Sequence, residues 1–367
     1  MSKARELAEL GAAYDSGALS NRNFIINGAM QVAQRATSST GVGATNNAYP
    51  TCDRWEIETA NSAGRATMTQ ESDGPDGFAN SIKLACTTAD TSIAADEVFR
   101  LQQVIEAQNL QSLAKGTSSA KQFTLSFYVK GNAAATYNVE IYDLDNTRHI
   151  CASFNVTTSW NRISLTFAGD TTGAINDDSG GGFQVGIYLH EGSNYTSGTL
   201  ATSWASVSNA NRSDSNNTSF FDSTSRTFFI TGVQLEVGDT ATDFEHRTFA
   251  DELTSCQRYF CRTYQYGTDT GTATSNGCVA TSLSAAFSYA GAGNWEFPVT
   301  MRTAPTVTVY STASANTTGK LSADGTDGAG NATFLSQNRC FFYRVNDSTG
   351  TAANVFLRAH ATASAEL

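Results

Sequence analysis

The stretch FTLSFYVK, residues 123–130, followed after a short break by YNVEIY, residues 137–142, decides the fold class of this chain. Apolar side chains occupy every second position of both stretches, which is the period of a β-strand with one buried face. Gly131 and Asn132 follow the first stretch and are a turn signal. We therefore predict a pair of strands whose apolar faces line a core.

Three more stretches have the same period and are predicted to be strands: residues 160–167, 182–189 and 228–236. About nine strands of this kind, without a repeating unit, are typical of a two-sheet jelly-roll sandwich. The predicted sandwich spans residues 23–247.

A long excursion rich in Ser, Asn and Thr, from Glu191 to Ser225, separates the last two of these strands. Long insertions in a β scaffold often carry surface function. Tyr195 and Trp204 in the excursion, and Trp295 near a later loop, are the candidate receptor-binding residues, because an aromatic ring can stack on a sugar or on a protein receptor. Burial in a core is the alternative for each ring, and the sequence leaves it open.

A second β domain is predicted for residues 248–367. It opens with a short linking helix that has acids in its first turn and Leu253, Cys256 and Phe260 on one side. Strands then resume, with a turn-rich loop at residues 323–330. The predicted fold class is therefore all-β: a short N-terminal helix, a jelly-roll β-sandwich and a compact C-terminal antiparallel β domain.

The first segment, residues 1–22, is predicted to contain the N-terminal helix. Leu7, Leu10 and Tyr14 lie at positions i, i+3 and i+7 and form one apolar stripe. A helix this short is marginal alone in water, so the stripe is expected to pack on its own domain or on copies of itself. Attachment and oligomerisation are its predicted functions.

The composition excludes two classes of partner. Charged residues make up 16% of the chain and the formal net charge is -11, without the clustered Lys and Arg that phosphate recognition needs. Nucleic-acid binding is therefore not expected. No apolar run approaches the roughly 18 residues of a membrane span, and the start lacks the pattern of a secretory signal peptide. We expect synthesis in a cytoplasm and no membrane insertion.

No catalytic residue and no cofactor is predicted. The seven Cys are dispersed and expected to be free thiols, and the four His lack metal-ligand spacing. Asp143 with Asp145, and Asp177 with Asp178, offer oxygen ligands for Ca²⁺, but without EF-hand spacing solvated turns are the preferred interpretation. The Glu-His-Arg run at residues 245–247 is interpreted as a polar contact between domains.

The run NRNFIINGAMQVAQR, residues 21–35, resembles the start of the carbohydrate-binding-like jelly-roll module of many phage tail-fibre and virion proteins. Three further segments are similar to core strands of that module: residues 123–130, 160–167 and 230–238.

The later part of the chain carries the same resemblance. Residues 241–247, running into 256–260, are similar to the link between that module and a C-terminal tail-fibre domain. Residues 297–309 resemble a strand, proline turn and strand of that domain. Together the similar segments span nearly the whole chain after Ser20.

The resemblance implies a homotrimeric tail fibre of a virion, made in a bacterial cytoplasm. Its N-terminal segment would bind other tail proteins, and its distal β domains would contact a glycan or protein receptor on the host surface. No binding residue of the family maps onto a numbered position here. A capsid head-decoration or cement protein is the alternative. A tailspike glycan depolymerase, which needs paired carboxylates across the scissile bond, comes third.

Overall fold

The computed structural model describes residue 3 and residues 21–44, 47–283, 289–345 and 355–367. Within these ranges the chain forms twenty strands and four short helical segments, so the predicted all-β class is confirmed. The predicted stripe of Leu7, Leu10 and Tyr14 lies outside the described residues. No helix in the described part is long and apolar enough to cross a membrane.

The first twelve strands form a β-sandwich. They are β1 Ser38–Val42, β2 Glu56–Ala60, β3 Arg65–Glu71, β4 Ser81–Thr88, β5 Val98–Glu106, β6 Phe123–Gly131, β7 Ala135–Asp143, β8 Arg148–Val156, β9 Asn161–Phe167, β10 Gly181–Glu191, β11 Ala205–Ser206 and β12 Thr227–Val237. The first sheet has the order β1-β3-β4-β12-β6-β9 and the second β11-β8-β7-β10-β5-β2. The two antiparallel sheets enclose one hydrophobic core.

The alternating apolar faces of β6 and β7 line this core, as predicted. Phe127 of β6 lies 5.0 Å from Phe154 of β8, edge to face, and Tyr137 of β7 lies 5.6 Å from Phe228 of β12. Burial of each large apolar side chain stabilises the fold by about 1.5–3 kcal/mol. The two strands do not pair with each other: β6 pairs with β9 and β12, and β7 pairs with β8 and β10.

The remaining eight strands form a C-terminal sheet around a second hydrophobic core. They are β13 Phe260–Arg262, β14 Val279–Leu283, β15 Tyr289–Glu296, β16 Thr306–Tyr310, β17 Lys320–Ala323, β18 Thr326–Thr333, β19 Arg339–Val345 and β20 Val355–Ser364. The long β20 is central, because Ser364 pairs with both Phe260 and Thr306. The domain boundaries at residues 22/23 and 247/248 stay predictions.

The described ranges contain few and short helical segments: 3₁₀ turns at Ala107–Leu113 and Asn209–Asn211, α1 at Ser193–Thr196 and α2 at Phe249–Gln257. The linking helix is thus present as α2, but Phe260 begins β13 instead of ending the helix. The predicted loop at residues 323–330 is instead part of the hairpin β17–β18. Asp324 and Gly325 have φ values of 46° and 90°, as a two-residue hairpin turn requires.

Buried ion pairs join the sandwich to the C-terminal part. Glu106 at the end of β5 accepts hydrogen bonds from Arg258 at 2.7 Å and from the Tyr259 hydroxyl at 2.5 Å. Glu366 near the C-terminus pairs with Arg54 of the sandwich. The two cores are therefore linked through charged groups that are largely removed from water.

Glu245 and Arg247, in the run predicted as a contact between domains, bond to the beginning of the predicted sandwich. Glu245 accepts a hydrogen bond from the backbone N–H of Asn23 at 2.9 Å, and Arg247 donates to the carbonyl of Asn23 at 2.7 Å. These bonds fasten the end of the sandwich to its beginning.

Candidate functional site

The outer face of the second sheet carries polar and charged side chains on five neighbouring strands. Ile57, Leu101, Val139 and Ile187 belong to the sandwich core, so their neighbours along each strand point to the opposite face. The residues of this polar face are Glu56 and Glu58 of β2, Arg100 and Gln102 of β5, Glu140 of β7, His149 of β8, and Gln184 and Tyr188 of β10. All except Glu58 are buried.

Arg100 lies between two carboxylates of the polar face. Its Nη2 donates to Oε2 of Glu58 at 2.5 Å, and its Nη1 lies 3.7 Å from Oε2 of Glu140. The hydroxyl of Tyr188 accepts from Arg100 at 2.5 Å and donates to Glu140 at 2.9 Å. Charge-assisted hydrogen bonds are short and directional, so this series of contacts fixes the orientation of all four side chains.

Glu140 is the central acceptor of the polar face. His149 Nδ1 bonds to its Oε1 at 2.7 Å, and Arg212 Nη1 lies 3.5 Å from its Oε2. Burial raises the pKa of Glu140, but the hydrogen bond from His149 and the nearby guanidinium groups outweigh burial and hold this pKa below its usual value. Glu140 is therefore ionised at neutral pH.

Arg212 reaches the polar face from the excursion between β10 and β12. It donates to the hydroxyl of Tyr188 at 3.1 Å, and its guanidinium carbon lies 5.1 Å from the ring centre of Tyr142. The next residue, Ser213, accepts a hydrogen bond from the Asn138 amide at 2.8 Å. The excursion therefore folds over the sheet and supplies one wall of the site.

Gly186 contributes no side chain in the middle of the polar face. Its pairing partners are Gln102 and Glu140, and a Cβ atom built on it would meet Arg100, Gln184 and Tyr188 at 3.7–3.9 Å. Beside it the Gln102 amide donates to Glu56 at 2.8 Å. The face thus presents carboxylates, amides, guanidinium groups and a phenol in fixed positions, which suits a ligand rich in hydroxyl groups.

Glu140, His149 and Cys151 have the composition of a catalytic triad but not its geometry. Glu140 at 2.7 Å and Cys151 Sγ at 3.9 Å both contact Nδ1 of His149, whereas a nucleophile–base–acid relay uses both ring nitrogens. Burial also raises the pKa of Cys151, which disfavours its thiolate. This trio does not form a relay.

The structure does not bring the three predicted receptor-binding residues together. Trp204 is half-buried at the edge of the sandwich core, where its ring lies 5.8 Å from Phe183 and its Nε1 donates to the Ala168 carbonyl at 2.7 Å. Tyr195 is half-buried in α1. A receptor-binding role for these two stays a prediction.

Trp295 lies in β15, one residue before this strand ends at Glu296. It is 8% exposed and belongs to the C-terminal core, with its ring 4.9 Å from Phe297 and 6.3 Å from Phe342. Trp295 is therefore a core aromatic, which is the alternative that the sequence left open, because neighbouring rings cover it.

Asp143 and Asp145, the first pair of acids considered as calcium ligands, have other partners. Asp143 forms a buried ion pair with Lys115 at 2.5 Å, and Asp145 accepts from the Asn176 amide at 2.8 Å. The ammonium group of Lys115 thus already lies beside the Asp143 carboxylate. The seven Cys are free thiols, as predicted, and six of them are buried.

Sequence reasoning missed the polar face, although a signal for it was present. Asn138, Glu140 and Tyr142 alternate with the apolar residues of β7, and Glu56 and Glu58 occupy alternate positions of β2. Polar residues on the outer face of a strand are usually solvated. Only the folding of the excursion onto this sheet converts them into a site.

No protein-family model matches the chain, and no curated protein matches its sequence. Among solved structures, the chain is similar to one described as "CBM4 structure and function", with 17% identity and a TM-score of 0.31 over 58% of this chain and 98% of that one. It is also similar to the family 11 carbohydrate-binding module of a Clostridium thermocellum cellulosomal cellulase, with 12% identity and a TM-score of 0.28 over 53% and 91%.

A third similar structure is the enzymatically active domain of tailspike protein 4 from bacteriophage CBA120. The identity is 13% and the TM-score 0.28, over 59% of this chain and 21% of that one. At TM-scores of this size the alignments carry no information on ligand or activity.

Proposed function

We propose that this chain is a subunit of a homotrimeric bacteriophage tail fibre that attaches the virion to a glycan on the host cell, and that the polar face binds that glycan. The observation that carries the proposal is the fixed set of hydrogen-bonding groups around Gly186. Because these groups are held in position by hydrogen bonds to one another before a ligand arrives, binding does not have to order them.

The rim of the polar face supports an accessible position for the ligand. The side chain of Glu58 is 27% exposed and that of Arg212 is 11% exposed, so both can contact a ligand and the buried network at once. The half-buried ring of Tyr142, below the guanidinium of Arg212, offers an aromatic surface for a sugar ring.

A trimer would explain how such a site attaches a virion. Linking identical binding sites turns later contacts into intramolecular events, so a modest affinity per site suffices for firm attachment. The attachment segment with Leu7, Leu10 and Tyr14 is the expected trimer contact, and it would also hold the fibre to other tail proteins. The virion tail is the proposed location.

The glycan proposal is tested by adding a side chain in the middle of the polar face. The Cβ atom of Gly186→Val would meet side chains of Arg100, Gln184 and Tyr188 at ordinary contact distance, and its two methyl groups would lie among these groups. We expect at least a tenfold loss of binding to an array of bacterial surface polysaccharides. Ser164→Val, which adds the same side chain at an exposed position of β9 in the opposite sheet, is the matched control.

Three outcomes would contradict the glycan proposal. The wild-type protein could bind no polysaccharide of the array, or the Gly186 and Ser164 variants could bind equally well. Release of new reducing ends from a bound polysaccharide would instead indicate a depolymerase.

The oligomer and the location need separate measurements. Light scattering of the full chain should give three times the mass of one chain, and a variant with Leu7→Gln and Leu10→Gln should give the mass of a single chain. A monomeric wild type would overturn the trimer. In a cryo-electron-microscopy reconstruction of the virion, density at the tail would support the fibre, and density on the capsid lattice would indicate a decoration protein.

A further inference from the structure

A small pocket lies outside the polar face, where the end of β10 meets the excursion. Its volume is about 120 Å³, and its lining includes Glu191, Thr196, Asp214, Ser215 and Asn217. These residues come from β10, from α1 and from the excursion beyond it. The pocket therefore lies where β10, α1 and the following part of the excursion meet.

Two oxygen atoms at this pocket are buried without a hydrogen-bond donor. Glu191 is 8% exposed, and its Oε1 accepts from the Ser213 hydroxyl and the Asn217 amide. Among the described residues, neither its Oε2 nor Oδ1 of Asn217 has a hydrogen-bond partner. An unpaired buried acceptor costs about 1–3 kcal/mol, and more for a charged group. Two such oxygens in adjacent side chains need a positive or donating partner.

The chemistry of the lining favours a hard cation. Asp214 of the lining has a second carboxylate, whose Oδ1 accepts hydrogen bonds from Asn216. No Lys or Arg is among the residues that line this pocket. The one imidazole there, His190, is already engaged: its Nε2 lies 2.9 Å from Glu97 and its Nδ1 lies 2.7 Å from Ser219. The available ligands are thus carboxylate, amide and hydroxyl oxygens.

We propose that this pocket binds a calcium ion, with Glu191 Oε2, Asn217 Oδ1 and the Asp214 carboxylate as ligands. Calcium accepts six to eight oxygen ligands in flexible geometry, whereas magnesium demands near-ideal octahedral coordination. Two carboxylates balance the charge of a divalent ion. The remaining positions can be taken by hydroxyl groups of the lining and by water.

Calcium at this position would fasten the excursion to the sandwich. Asn217 and Asp214 lie just beyond Arg212, the residue that reaches Glu140 on the polar face. Loss of the ion should loosen this part of the chain while both hydrophobic cores stay intact.

Calcium chloride added to the chelator-treated full chain tests the proposal. At pH 8 we expect one ion per chain by calorimetric titration and a rise of several degrees in the melting temperature, because a ligand that binds only the folded state stabilises it. Glu191→Gln and Asp214→Asn should each weaken calcium binding at least tenfold. Asp214 is half-buried, so its variant is expected to fold even if the Glu191 variant does not.

Asp222→Asn is the matched control, because it removes one carboxylate of the same excursion that pairs with Arg226 away from the pocket. Calcium binding should be unchanged in this variant. A wild type that takes up no calcium at millimolar concentration would overturn the proposal. Equal weakening in the Asp222 control would overturn it as well.

A neutral Glu191 is the competing explanation. Burial raises the pKa of Glu191 to about 7, and a protonated Oε2 could donate to Asn217 Oδ1. In that case the wild type would take up no calcium, and Glu191→Gln would leave the melting temperature unchanged between pH 6 and 8.

Discussion

At the residue scale, His360 illustrates how burial controls protonation. Its side chain is fully buried, its ring is stacked 3.9 Å from that of Tyr264, and its Nδ1 lies 2.8 Å from the Thr263 hydroxyl. Burial lowers the pKa of His360 to about 4, below the value of about 6.5 in an unfolded chain. The folded state therefore holds this imidazole in its neutral form.

His360 should make the protein less stable in acid. Between pH 6.5 and 4 the unfolded state binds a proton that the folded state does not, so the free energy of unfolding falls by at most about 1.4 kcal/mol per pH unit as the pH decreases. Above pH 6.5 this contribution is constant. Urea denaturation at several pH values gives the free energy of unfolding as a function of pH. This free energy should change less steeply with pH in His360→Gln than in the wild type. An identical pH dependence of the two proteins would contradict the lowered pKa of His360.

Glu140 and Glu58 share Arg100 as a partner but differ in burial. Glu140→Gln removes the buried carboxylate that Arg212 and Arg100 share and leaves Arg100 only the partly exposed Glu58, so we expect a loss of about 3–5 kcal/mol in the free energy of unfolding. Glu58→Gln, whose side chain is 27% exposed, should cost about 1 kcal/mol or less. Denaturant unfolding of both variants checks this, and equal losses would show that burial does not decide the effect.

At the element scale, a single glycine allows β12 to bend. Gly232 has a φ of +62° and lies where the register of β12 against β6 shifts. A Cβ atom there would stand 2.8 Å from Phe78 and 2.9 Å from Tyr128. Only glycine adopts this backbone without strain and also leaves room for the two rings.

Two alanine variants separate backbone strain from crowding. Gly41 has a similar φ of +68° but no atom within 4 Å of its Cβ position, so Gly41→Ala should cost only the left-handed backbone, about 1–2 kcal/mol. Gly232→Ala should cost about 1–3 kcal/mol more, because the two rings must move. Thermal unfolding of both variants measures the difference. No difference would mean that the rings adjust freely.

At the scale of the whole molecule, the ion pairs between the two cores should make them unfold together. Glu106 is fully buried and accepts hydrogen bonds from Arg258 and Tyr259 of the C-terminal part. Glu366 forms an ion pair with Arg54 of the sandwich. We expect one calorimetric transition for the wild type. Glu106→Gln, which breaks the pair at a buried carboxylate, should separate two transitions. Two transitions already in the wild type would show that the cores are independent.

Much of the fold was predictable because its signals are local. The period of two in residues 123–130 and 137–142 depends only on neighbouring positions, so it predicted both strands and their buried faces correctly. The Asp324-Gly325 turn is also local, yet residues 323–330 were predicted as a loop. The strand before this turn has only four residues, and β18 after it contains two Gly, two Ala and no large apolar residue.

The candidate site was not predictable in the same way. Arg212 and Glu140 are 72 positions apart, and nothing near either residue indicates the other. From the local sequence alone, Glu140 would be interpreted as a solvated residue of a strand. Burial raises the pKa of Glu140, and the lowering effect of His149, Arg212 and Arg100, which outweighs it, arises only when the folded chain brings these residues to Glu140.

By itself the sequence determined the all-β class, the strands, the buried faces and the free state of the cysteines, because alternation and composition act over a few residues. The tertiary structure alone decided that β6 and β7 lie in opposite sheets, since strand pairing depends on contacts as distant as Val129 with Ile230. It also decided where Trp295 lies and which polar groups meet around Gly186. Such contacts depend on long-range packing, which no local pattern encodes.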